Sequence, residues 1–63
     1  DDFSPGQLVR VISAPNRAQT GTLVALRPGL TVLPSGVRAQ AADVRFESGE
    51  TAIFPLANLE VLA

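Results

Sequence analysis

The sequence predicts an all-β fold: a small five-stranded antiparallel barrel, strongly bent, with one 3₁₀ turn before its last strand. Three observations carry that expectation. Pro and Gly cut the 63 residues into pieces of strand length. One of those pieces alternates apolar and charged side chains without a fault, as a half-buried strand does. No stretch of eleven or more residues keeps the apolar period of a helix.

Taken in order, Pro5-Gly6 is a turn pair, with Pro presetting φ at the second position and Gly accepting positive φ at the third. A first strand follows over 8–13, rich in β-branched residues and bounded by the turn signal Ala14-Pro15-Asn16. Gly21 opens a second strand over 22–26, closed by Pro28-Gly29. Residues 30–33 allow a brief strand, which Pro34-Ser35-Gly36 interrupts. The alternating piece is Ala42-Asp43-Val44-Arg45-Phe46-Glu47. Ser48-Gly49 turns it into a strand over 50–54. Pro55-Leu56-Ala57-Asn58 is too short for an α-helix and suits one 3₁₀ turn, leaving a last strand over 59–62.

The turn near Gly49 offers two registers. A two-residue turn groups Val44 and Phe46 with Thr51 and Ile53. A three-residue loop, Glu47-Ser48-Gly49 with Gly in the left-handed region, groups them with Ala52 and Phe54. The second gathers both aromatics and leaves Asp43, Arg45 and Thr51 outside, so it is the one expected. The core then contains Val9, Val11, Leu23, Val44, Phe46, Phe54, Leu56, Leu59 and Val61.

Composition removes whole classes of function. With no His and no Cys, the chain has no imidazole base, no thiolate nucleophile, no Cys/His zinc site and no disulfide. The missing cysteines lean the expected compartment toward the cytoplasm. No apolar run approaches the roughly 20 residues of a membrane span, so no membrane partner is expected. A start at Asp1 suggests one domain, 1–63, cut from a longer protein, with Asp1-Asp2 left from a linker. Five basic residues, all Arg, against six acidic ones give a net charge of −1. That is little positive charge for a nucleic-acid binder.

Gly6-Gln7-Leu8-Val9-Arg10-Val11-Ile12, followed by Asn16-Arg17-Ala18-Gln19-Thr20-Gly21-Thr22-Leu23-Val24, resembles a KOW motif. The motif occurs in ribosomal proteins and in NusG-type elongation factors, where it builds the first hairpin of an SH3-like barrel. Its Gly corresponds to Gly21, expected at positive φ where the second strand begins. Residues 42–62 are similar to the second half of SH3-like and Tudor-like barrels, with Pro55-Leu56-Ala57-Asn58-Leu59 after the last Gly turn. The resemblance covers about 40 residues. Ala14 and Ala18 stand where Gly is common in the motif, and Arg17 alone keeps its loop charge. With only Phe3, Phe46 and Phe54 as aromatics, the chain cannot build the cage of a methyl-lysine reader.

Functional readings compete with plainer ones. Arg10, Arg17 and Arg27 could form a basic strip for phosphates; the simpler reading pairs them with Asp43, Glu47 or Glu60 on a solvated face. Asp43, Glu47, Glu50 and Glu60 fall at alternate strand positions or in a turn, so no acid–base pair converges and no enzyme is expected. No cofactor or metal is expected either. The stretch 27–41 is long for so small a domain, and its Leu30, Val32, Leu33 and Val37 either cap the barrel or face a partner. Binding is expected on loops held by the strands, at Asn16, Arg17, Arg27, Leu30, Val32 and Arg38. The expected function is a non-catalytic interaction module that docks onto a protein partner or a neighbouring domain. The alternative is a KOW-type module contacting RNA, the ribosome or a transcription complex; RNA binding by the isolated chain is expected to be weak.

Overall fold

The structure is a computed structural model that describes residues 3–13 and 15–63. Expectations placed on Asp1, Asp2 and Ala14 lie outside those residues. The elements are β1 (Leu8–Val11), β2 (Thr20–Leu26), β3 (Thr31–Val32), β4 (Arg38–Ala39), β5 (Ala41–Phe46), β6 (Thr51–Pro55), a 3₁₀ turn (Leu56–Asn58) and β7 (Leu59–Val61).

Five strands form one antiparallel sheet in the order β6-β5-β2-β1-β7. The sheet is not closed into a barrel, which corrects the expected closure. β6 ends at Pro55, which has no N–H to extend a ladder, and the 3₁₀ turn carries the chain to the far edge, where β7 pairs with β1. The strands at the two edges therefore never meet. A shift between Leu23 and Ala25 leaves Val24 as a bulge in β2 and adds local twist. The brief strand allowed over 30–33 is present as β3, and it pairs with β4, which was not expected, in a separate two-stranded ribbon. Two residues per strand are too few to show alternation in sequence.

Val9, Val11, Leu23, Ala42, Val44, Phe54 and Leu59 form one buried cluster, with Phe46 and Leu56 half-buried against it. Val61 corrects the expected core. It stands opposite Val9, but on a three-residue edge strand it stays 40% exposed. Leu33 is buried, as the capping alternative allowed for it, and Ala41 and Ala42 are buried without having been expected in the core. Short alanines carry a weak hydrophobic signal, yet Ala42 lies opposite Phe54, which helps to cover it.

The expected three-residue loop is present. Gly49 has φ 94°, its N–H bonds to the Phe46 carbonyl at 2.9 Å, and Phe46 N–H bonds to the Glu50 carbonyl at 2.9 Å. Val44 therefore faces Ala52, and the rings of Phe46 and Phe54 meet edge to face at 5.9 Å. The ribbon turns the same way. Gly36 has φ 90°, and Leu33 and Val37 take the places of Phe46 and Glu50. In both turns the Ser hydroxyl accepts the N–H two residues on, Val37 to Ser35 Oγ at 3.4 Å and Glu50 to Ser48 Oγ at 3.2 Å.

Gly21 is needed for a different reason from the one expected. Its φ lies outside the left-handed region. A Cβ there would stand 2.7 Å from the Arg45 carbonyl oxygen and 2.8 Å from Val44 Cγ1, so glycine lets β2 and β5 approach. The left-handed residue of the first hairpin is Ala18, with φ 73°.

Candidate docking surface

Alternation decides which side chains can meet a partner. Val9, Val11, Leu23, Val44 and Phe54 point to the core, so Thr22, Asp43, Arg45, Thr51 and Ile53 share the opposite face. On that face Arg27 meets Asp43: Nη2 donates to Oδ1 at 3.0 Å, and Nε donates to Oδ1 at 3.3 Å and Oδ2 at 3.1 Å. The hydrogen bond to Asp43, and then its negative charge, hold the Arg27 guanidinium above its usual pKa. Across the β1–β7 pair, Arg10 Nε and Nη2 both donate to Glu60 Oε1, at 3.1 and 2.9 Å. Two arginines of the conceivable basic strip are thus neutralised by two of the carboxylates named as partners. Only Arg17 of that strip has no carboxylate partner among the described residues.

The six residues expected to bind do not form one patch. Asn16 is half-buried and shapes its own loop, its Nδ2 donating to Gln19 Oε1 at 2.7 Å and its carbonyl accepting from Gln19 N–H at 3.0 Å. Arg17 lines a shallow groove with Arg10, Val11, Ile12 and Ala18. Arg27 is tied to Asp43. Leu30, Val32 and Arg38 do come together on the ribbon, where Val32 stands opposite Arg38. Leu30 is 67% and Val32 61% exposed, and Val37, opposite Leu33 across the turn, 58%. Leu33, next along the chain, is buried. The stretch thus divides, with one side chain anchoring the ribbon and three left outward.

Two features escaped the sequence reading. Ile12 is 47% exposed: it follows buried Val11, so alternation turns it outward with Leu8 and Arg10, although its N–H still bonds to the Asn58 carbonyl at 2.9 Å. Arg45 has no acidic partner among the described residues, and lies between Thr22 and Thr51. Its alternation put it on the outer face; its lack of a partner depends on register.

Glu47 and Glu50 are exposed in their turn, while Asp43 and Glu60 are held by arginines. Among the described residues no three acidic side chains gather to hold a metal ion, and no helix is long and apolar enough to cross a membrane. No protein-family model matches the chain, and neither a curated protein nor a solved structure resembles it significantly.

Proposed function

We propose that the chain is a non-catalytic interaction module of the SH3-like, KOW-related kind, docking onto a protein partner through the β3–β4 ribbon. The observation that carries this reading is the exposure of Leu30 and Val32, both more than half exposed, with Arg38 opposite Val32 on the same short ribbon. Covering each such side chain on a partner contributes on the order of 1 kcal/mol or more. Arg38, with no carboxylate partner among the described residues, suits an acidic rim around the partner's apolar patch. The fold-level part of the reading is supported by the antiparallel order of the sheet and by the 3₁₀ turn before β7.

The RNA-contacting alternative has one observation behind it, Arg17 in the first hairpin loop, without a carboxylate partner among the described residues and sharing a groove with Arg10 of β1. A photo-crosslinking side chain at position 32, with a control at Ser48, tests the main reading in cells. A discrete protein adduct from position 32 alone, lost when Leu30 becomes Ser and Arg38 becomes Gln, supports it. In a parallel titration with generic single-stranded RNA, binding centred on Arg10 and Arg17 that persists at physiological salt replaces it with the alternative.

A further inference from the structure

The second surface is a sheet edge, and it does not depend on how the ribbon is used. Phe46 N–H bonds to the Glu50 carbonyl, and Leu56 N–H to the Gln40 carbonyl. Between those two pairs the antiparallel ladder alternates, so Ala52 and Phe54 exchange their backbone bonds with β5. Thr51 and Ile53 therefore point their N–H and C=O groups away from the sheet, and Pro55 its C=O. No strand of the described chain lies beyond them.

Edge strands are usually blunted by charge, by a bulge or by a covering segment. The β7 edge has such devices: Leu59 N–H is used by the Leu56 carbonyl, and Glu60 carries charge. The β6 edge, Thr-Ala-Ile-Phe-Pro, has no charge and no bulge. It borders a groove on the outer face, lined by Thr51, Ala52 and Ile53 together with Asp43, Arg27 and Pro34. Beside the groove, Arg45 stands next to the small Thr51 on the outer face.

We propose that the β6 edge accepts an extended segment of another protein as an added antiparallel strand, one with a carboxylate opposite Thr51 and an apolar side chain opposite Ile53. The backbone groups of Thr51 and Ile53 supply the ladder. Arg45 reaches over Thr51 to the carboxylate, and Ile53 packs against the apolar neighbour. Pro55, without an N–H, ends the ladder on one side.

The test uses isotope-labelled protein and a capped peptide, Thr-Val-Thr-Glu-Thr, whose Val and Glu fall opposite Ile53 and Thr51. The expected result is a set of amide shifts centred on Thr51 and Ile53, with slowed hydrogen exchange at both. Replacing the peptide's Glu by Gln, or Arg45→Gln in the protein, weakens binding about three-fold, the scale of one exposed charge pair. Thr51→Pro removes an outward N–H that no strand of the chain uses, and abolishes the shifts while the rest of the spectrum stays in place. Should that variant not fold, the Arg45→Gln comparison still decides. Shifts confined to the ribbon or to β7 overturn the proposal, as does equal binding of the Gln peptide. Protection of Thr51 and Ile53 that rises with protein concentration alone also overturns it, by giving the edge to a second copy.

Discussion

Two hairpins of the sheet turn through a residue in the left-handed region, Gly49 between β5 and β6 and Ala18 between β1 and β2. At Gly49 the side chain suits the backbone. At Ala18 a methyl group is held where L residues lose about 1 kcal/mol. The strained loop persists because its backbone is bonded from several sides: Ala18 N–H to the Val11 carbonyl at 2.7 Å, Val11 N–H to Gln19 at 2.8 Å, and Gln19 N–H to Asn16 at 3.0 Å. The same hairpin contains a glycine three residues later, where space rather than φ requires it. A backbone requirement and a glycine in the sequence need not coincide.

Substitutions test this contrast, and the largest effect is expected from Gly21→Val. The new side chain runs into backbone and into buried Val44, so the loss should approach about 3 kcal/mol in urea unfolding. A loss near the size of a simple turn substitution would mean β2 and β5 can part without cost. Gly49→Ala should cost about 1 kcal/mol, through conformation alone, since nothing lies within 4 Å of its missing Cβ. Gly36→Ala should match it, because the two turns share their geometry. Ala18→Gly should act in the opposite sense and raise stability by up to about 1 kcal/mol; a lower melting temperature would show that the loop needs its methyl group. Combining Ala18→Gly with Gly49→Ala tests whether the two turns, at the same end of the β2–β5 pair, act independently: a net change near zero means that they do. The smallest effect belongs to Arg10 and Glu60, where a double-mutant cycle should give a coupling of about 0.3 kcal/mol that salt removes.

The contrast also shows what the sequence could tell. The register of β5 and β6 was legible because perfect alternation ran into a Ser-Gly turn, and the choice that paired Phe46 with Phe54 could be made from faces alone. The arginine partners were legible as a short set, Asp43, Glu47 or Glu60, though only register assigns Arg27 to Asp43 and Arg10 to Glu60. Ala18 stood out in the motif as a departure from Gly, and its φ of 73° gives that departure a physical meaning. Other features depend on tertiary position. Whether the sheet closes, whether Val61 is covered, and which of Leu30, Val32, Leu33 and Val37 turns inward all follow from what lies next to them in space. In the candidate site, apolar content and charge were visible, but their grouping on a two-residue ribbon was not.

The pairing of β7 with β1 governs how quickly the sheet can assemble. Arg10 and Glu60 face each other fifty residues apart in the chain, whereas the β5–β6 pair closes over three. Bringing distant segments together loses loop entropy before any contact is gained. The hairpin around Gly49 is thus suited to form early, and β7 to dock once β1 and β2 are in place. Weakening Leu59, for instance by Leu59→Ala, should then speed unfolding more than it slows refolding. The last strand acts as the latch on a sheet that is already built.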